Sequence, residues 1–201
     1  MKLVKFDIHR HDVNLVSRLI YETDAETFNF YFNKRQNAVN RIEKLVRKGN
    51  NNSYGHENIY VATGEDDQLY GLVLTFMGSH EDIKNDFKVY FRTLSLGDAL
   101  KFVFLDIVDG IFLSKLDRDD YYLAAVAVAP DCRGKGVGTF ILEKSLELAR
   151  ENGSVRVVLD VDIDNKGALK MYKSFGFKIF NKKSMRWVGG VKGDYNMEYK
   201  F

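Results

Sequence analysis

Hydrophobic and polar positions along the chain follow two periods. Lys2 to Ile8 sets Leu3, Lys5 and Asp7 against Val4, Phe6 and Ile8, which predicts a first strand. Asp12 stands as an N-cap before Val13, Val16, Leu19 and Ile20, which recur at helical spacing. Residues 22–27 form a polar break, and an aromatic stretch with Phe28, Phe30, Tyr31 and Phe32 follows. Ala38, Val39, Ile42, Leu45 and Val46 predict a second helix that ends at Lys48-Gly49. Asn50 to Asn58 has no period and reads as loop. Ile59 to Thr63 and Tyr70 to Phe76 predict an antiparallel hairpin turning at 65–68.

Residues 79–119 are less regular. His80 to Lys88 begins a charged helix, Thr93 to Gly97 is a break, and Asp98 stands as the cap of an apolar helix carrying Leu100, Val103, Phe104, Ile107, Val108 and Ile111. That helix is hydrophobic around most of its circumference, so it is expected to be buried or to cover something. The region reads as an insertion that packs on the sheet, or as a dimer interface. Leu123 to Val128 then predicts a buried central strand, Val137 to Arg150 a helix, and Val155 to Val161 a second strand. A strand–helix–strand crossover of this kind makes the two strands parallel. Lys166 to Ser174 predicts another helix, stopped by Gly176. Phe177 to Asn181 and an irregular strand ending at Trp187 come next. Turns are predicted at Gly189-Gly190 and at Lys192-Gly193-Asp194, before a last strand from Tyr195 to Phe201. The sum is one α/β domain over 1–201, a mixed sheet with helices on both faces.

Composition narrows the function. The 201 residues are 45% hydrophobic with a net charge of +2, and no long basic run argues for nucleic acid. Cys132 is the one cysteine, which rules out an internal disulfide and suits a reducing compartment. The start, MKLVKFDIHR, becomes charged too soon for a signal-peptide core. The most apolar run, Ala99 to Leu113, is broken by Lys101, Asp106 and Asp109 and is too short to span a bilayer. A soluble, cytoplasmic protein is expected, with no membrane partner. His9, His11, His56 and His80 are scattered and indicate no metal site.

The chemistry concentrates after the central strand. Arg133-Gly134-Lys135-Gly136-Val137-Gly138-Thr139 has little side-chain bulk and opens a helix, so backbone N–H groups there can meet an anion. Three phosphate-binding loops are candidates, and spacing separates them. A Walker A loop places Ser or Thr directly after its Lys, whereas Gly136 follows Lys135 here. A dinucleotide fingerprint fits Gly134 and Gly136, but Thr139 stands where its third glycine belongs. R-G-x-G-x-G after a V-x-P strand end instead resembles the acetyl-CoA motif of the GNAT N-acetyltransferase family. A second segment, Asn165-x-x-Ala168-x-x-x-Tyr172-x-x-x-Gly176-Phe177, resembles the second acetyl-CoA motif of that family. The two together cover roughly residues 122–179.

The resemblance implies a mostly antiparallel mixed sheet in which the one parallel strand pair splays apart, with acetyl-CoA as acyl donor and no metal. Backbone at Val126, Ala127 and Val128 would hold the acetyl group and pantetheine arm, and Gly134 to Thr139 the pyrophosphate. Asn165 would touch the arm, with Ala168 and Tyr172 beside it. Tyr172 matches the family tyrosine that protonates the leaving thiolate; packing against cofactor or core is its other reading. Asp160 aligns with a carboxylate base in ribosomal-protein N-terminal acetyltransferases, though Asp is shorter than the Glu found there, and a plain solvent-facing or capping aspartate is its other reading. Glu22, Asp24 and Glu26 are rival bases, or binders of a cationic acceptor. Phe28, Tyr31 and Phe32 either line the acceptor entrance or belong to the core. The reaction implied is direct attack of an amine on the thioester in a ternary complex. A non-catalytic acyl-CoA-binding module and a nucleotide-binding protein are the rival functions. The acceptor lies in the part of the chain without a motif.

Overall fold

Strand pairing puts the predicted central strand in the middle of a seven-stranded sheet. The computed structural model describes residues 1–187 and 190–201. The sheet runs in the order β1 (Lys2–Lys5), β2 (Ile59–Thr63), β3 (Leu69–Met77), β4 (Asp120–Val128), β5 (Arg156–Asp162), β7 (Gly190–Lys200) and β6 (Lys178–Trp187). Every pairing is antiparallel except β4 with β5. Helices α1 (Val13–Thr23), α2 (Ala25–Phe32), α3 (Arg35–Lys48), α4 (Ile83–Thr93) and α5 (Leu96–Phe112) contribute to one buried core. Helices α6 (Val137–Glu151) and α7 (Lys166–Ser174) contribute to a second core, and β2, β3 and β4 supply side chains to both. The expected mixed sheet with helices on both faces is therefore present. Among the described residues no helix is long and apolar enough to cross a membrane.

One extra residue in β4 shapes the site. β3 and β4 pair from Gly71 opposite Val128 to Met77 opposite Tyr121, but the register slips between Leu74 and Thr75 and leaves Ala124 unpaired. This bulge inverts the alternation of faces. Tyr121 and Leu123 share a core with Val126 and Val128, while Ala125 and Ala127 face the other core. It also coincides with the end of the parallel pairing, which covers only Asp120–Leu123 opposite Arg156–Leu159. Past that point the facing edges of β4 and β5 are unpaired. The closed end is clamped: the Arg156 guanidinium donates to both oxygens of buried Asp120, at 2.6 and 2.8 Å, and also to Asp117 and Glu198.

Several boundaries differ from the sequence expectation. β1 stops at Lys5, although the Phe6 N–H still bonds the Ile59 carbonyl at 3.0 Å. The polar break shrinks to Asp24, which ends α1 and caps α2 by accepting from the Thr27 N–H; the aromatic stretch is thus helical. Ser95, rather than Asp98, caps α5. Asp98 sits in the first turn and accepts from the Ser95 hydroxyl at 2.8 Å. Lys192, Gly193 and Asp194 lie inside β7, not in a turn. A Cβ on Gly193 would collide with the Lys183 carbonyl, so this glycine marks close approach of β6 and β7. Gly189 of the other predicted turn lies outside the described residues, and Gly190 begins β7.

Candidate active site

The gap between β4 and β5 presents an open strand edge. The Ala129 N–H bonds the Tyr70 carbonyl at 2.8 Å, so by alternation the peptide groups of Ala127 also face β3. Those of Val126 and Val128 face the gap, and the Val128 carbonyl accepts there from Arg133 Nε at 3.2 Å. Gly134 and Gly136 then take left-handed conformations, with φ of 73° and 78°, and a Cβ on either would touch nothing. The need is therefore one of backbone conformation rather than space. Gly136 caps α6 without a side chain, and the first helical bond runs from the Phe140 N–H to the Gly136 carbonyl. The N–H groups of Val137, Gly138 and Thr139 thus lack intrahelical partners, and no acidic residue occupies that turn. Lys135 is exposed beside them. The turn is therefore a set of free donors at a helix N-terminus, suited to an anion.

The second motif lies across the gap. Asn165 caps α7 through its side-chain oxygen, which accepts from the Ala168 N–H at 3.1 Å. Tyr172 follows Ala168 by one helical turn, is buried, and packs against Phe177 with ring centroids 5.8 Å apart. Burial pushes its phenol up to about 12, so it is protonated at neutral pH and can donate. Val126, Ala127, Val128, Arg133, Asn165, Ala168 and Tyr172 line a single cavity of about 840 Å³.

That cavity continues past the strand edge into an acidic chamber. Its walls carry nine carboxylates (Glu22, Asp24, Glu81, Asp86, Asp106, Asp109, Asp160, Asp162 and Asp194) against Lys115, Arg133 and Lys192. Phe28, Tyr54, Phe76, Phe112 and Tyr122 supply aromatic surface. Burial, reinforced by Asp86 and Asp109, raises Asp106 to about 8; the Tyr90 phenol adjoins it and offsets part of the rise. Neither the Tyr90 hydroxyl nor Asp106 Oδ2 makes a hydrogen bond of good geometry. Burial also raises Asp109 to about 7, with Asp24 and Asp194 adding and Lys192 subtracting. Asp194 rises to about 6, from burial and then the charges of Asp160, Asp162 and Asp24. Among the described residues no three His, Cys, Asp or Glu side chains converge as metal ligands.

Individual acids differ in how far they are engaged. Asp160 accepts from the Ser114 N–H at 3.1 Å, the Ser114 hydroxyl at 2.7 Å, the Tyr122 phenol at 2.8 Å and the Asn196 amide. It knots β5 to β4, β7 and the segment after α5. Glu22 is held by two guanidiniums, Arg35 at 2.8 Å and Arg133 at 3.0 Å. Asp24 pairs with Lys192 at 3.4 Å, and Lys192 also reaches the Thr27 hydroxyl, so β7 is tied to α2 across the chamber. Glu26 and Tyr31 instead line a smaller cavity of about 410 Å³. Phe28 and Phe32 are buried core, and Phe28 also reaches the main cavity. Cys132 is a free, half-buried thiol that does not line it.

The sequence profile of the Acetyltransferase (GNAT) family matches residues 46–177. The chain belongs to the GNAT family. It is 30% identical over 102 residues to the probable N-acetyltransferase san of Drosophila melanogaster, covering 48% of this chain and 55% of that one. It is 28% identical over 70 residues to N-alpha-acetyltransferase 30 of Schizosaccharomyces pombe, covering 35% and 47%. The chain spans about half or less of the length of the curated relatives it matches. An N-acetyltransferase from Staphylococcus aureus Mu50 has the same fold, with a TM-score of 0.73 at 21% identity over 99% of this chain and 100% of that one. Within this GNAT sheet, the two expected motifs face each other across the β4–β5 gap. Sequence reasoning missed Asp106, Asp109 and Asp194 as site residues. The signal for the first two was present: charges that interrupt an otherwise apolar run.

Proposed function

We propose that this chain is an acetyl-CoA-dependent N-acetyltransferase whose acceptor is a small amine carrying more than one positive charge. The observation that carries the reading is the single cavity joining the open β4 edge to a carboxylate-lined, aromatic-walled chamber. In this reading the chain is one acetyltransferase domain, and residues 79–119 are an insertion that walls the acceptor side. A cytoplasmic, reducing setting suits the free thiol of Cys132.

The residues divide the work. Val126 and Val128 offer an unpaired strand edge to the amide-bearing arm of acetyl-CoA. Gly134 to Thr139 offer N–H donors and a helix dipole to its pyrophosphate. The acceptor enters as an ammonium drawn by Asp194, and Asp109 and Asp106 ionise as it binds. Asp109, raised to about 7, is matched to taking the proton that frees the nitrogen lone pair. As that nitrogen bonds the thioester carbon and the carbon–sulfur bond breaks, the Tyr172 phenol gives its proton to the departing thiolate, and the second proton shed by the nitrogen restores the phenol. Asp160, already accepting four hydrogen bonds, acts by holding the chamber wall to the strands.

Charge on the acceptor follows from the surplus of carboxylates. Asp106 and Asp109 hold protons in the empty chamber; a first ammonium ionises one of them, and a second cation lets a second carboxylate ionise beside it. A protein N-terminus, whose α-amine fits the name N-alpha-acetyltransferase 30 of the S. pombe relative, is the second reading. The Lys192 bridge between β7 and α2 favours the compact acceptor.

Thiol release from acetyl-CoA with 1,4-diaminobutane, butylamine and a short peptide tests the reading. The diamine is expected to exceed butylamine in kcat/KM by roughly tenfold or more, one charge pair's worth of transition-state binding. Equal rates would remove the requirement for a second charge, and preference for the peptide would install the second reading. Thermal stabilisation by acetyl-CoA without thiol release to any amine would leave a cofactor-binding module.

A further inference from the structure

We infer that the outward face of α5 is the contact between two copies of this chain, packed antiparallel about a twofold axis beside Phe104. Five large apolar side chains stand on that face and are more than half exposed: Leu96 at 69%, Leu100 at 53%, Phe104 at 53%, Ile107 at 54% and Ile111 at 58%. Their spacing of three and four residues makes one continuous stripe along the helix.

The stripe carries no charge because each charged residue of α5 is engaged elsewhere. Asp98 is bonded to Ser95 and Arg41. The Lys101 ammonium lies 5.4 Å from the Phe32 ring centre. Asp106 and Asp109 line the cavity on the opposite side of the helix. A helix that rests on a lipid surface flanks its apolar face with cations, and the one cation of α5 is folded over Phe32.

The order of residues along the stripe identifies a second copy as the occupant. Read from either end about a point between Val103 and Phe104, the face is the same: Leu96 answers Ile111, Gly97 answers Gly110, and Leu100 answers Ile107. A twofold contact sets each of these residues against the one that answers it, so large apolar side chains meet one another and glycine meets glycine along the stripe. Both glycines are exposed, and a Cβ built on either meets nothing within 4 Å, so they flank the stripe with no side chain between the helices. Each half-exposed Leu, Ile or Phe offers roughly 100 Å² of apolar surface. The five together offer roughly 500 Å², more than half of the roughly 800 Å² per partner of a standard stable interface, and the flanking backbone and side chains of α5 add to it.

Sedimentation equilibrium of the full chain at tens of micromolar tests the contact and its register. The wild type is expected at twice the 23.2 kDa of one chain. Leu100→Lys alone and Ile107→Glu alone place an unpaired charge against an apolar partner, and each is expected to give the monomer mass. The double variant Leu100→Lys with Ile107→Glu sets Lys opposite Glu at two places in the antiparallel register and is expected to return to the dimer. In a parallel register the same variant would oppose like charges and stay monomeric. Both positions are more than half exposed, so the variants are expected to keep the wild-type melting temperature, measured by circular dichroism in the monomeric state. A monomeric wild type, a dimer indifferent to either single change, or a folded double variant that stays monomeric would each overturn the proposal. So would a monomer that binds phosphatidylcholine vesicles through this face.

Discussion

Asp160 occupies the alignment position of a base and has the surroundings of a clamp. Its two oxygens accept from Ser114, Tyr122 and Asn196, drawn from three other parts of the chain. Asp160→Asn is expected to destabilise the fold by about 2–4 kcal/mol, because an amide cannot accept from all of these donors. The limbs of the pH–rate profile should keep their positions, while Asp109→Asn should remove the limb near pH 7. If Asp160→Asn alone removes that limb, Asp160 is the base. Tyr172→Phe is expected to lower kcat about a hundredfold with acetyl-CoA affinity within about twofold; an unchanged kcat would leave Tyr172 as packing. At this scale the left-handed turn at Gly134 and Gly136 and the helical place of Tyr172 were legible, because these residues sit in short local patterns. It did not reveal the environment of Asp160, whose partners lie 36 to 46 positions away.

Helix α5 has its own pH signature. Burial raises Asp106 to about 8 and Asp109 to about 7, whereas in an unfolded chain both ionise near 4. Between those values the folded form holds protons that the unfolded form has released, so this contribution to stability falls as pH rises from about 4 to 8, and levels off above. The unliganded protein should therefore melt lower at pH 8 than at pH 6, and Asp106→Asn should flatten that slope. An unchanged slope in the variant would place the titration elsewhere. A cationic acceptor favours the ionised carboxylates, so its binding near pH 7 should release protons, readable as a buffer-dependent enthalpy. Element boundaries set by local chemistry were legible: Asp12 caps α1, and α7 runs over the predicted residues. The bulge at Ala124 was not, because an apolar run buried on both faces hides its own phase. The exposed face of α5 was not either, since hydrophobicity around the whole helix reads as burial.

Across the whole molecule, the proposed donor and acceptor sites are two ends of one space. No cysteine lines the cavity among the described residues, the Ser53 and Ser114 hydroxyls that do line it donate to Asp86 and Asp160, and in the proposed reading no side chain carries the acyl group. Both substrates must then be present together, and initial-rate plots against each at fixed levels of the other should intersect; parallel lines would indicate a covalent acyl-enzyme instead. The sequence told this scale unevenly. The cofactor half is built from one contiguous crossover, β4–α6–β5–α7, whose motifs are local. The acceptor half gathers α1, α2, α5 and β7, whose meeting is fixed only by the fold. Dimer contact and acceptor chamber occupy opposite sides of α5, so a change in association should be felt in acceptor KM before acetyl-CoA affinity.

Met77 and Tyr121 stand opposite each other on adjacent strands although α4 and α5 lie between them in the chain. The intervening segment leaves the sheet and returns to the place it left. Changes along its exposed faces can therefore accumulate over generations without disturbing a strand pair, while Ser114, Asp117 and Asp120 stay tied to β5. Ancestry in such a protein is recorded in the crossover that meets acetyl-CoA. Adaptation to a new amine is free to be written in the excursion.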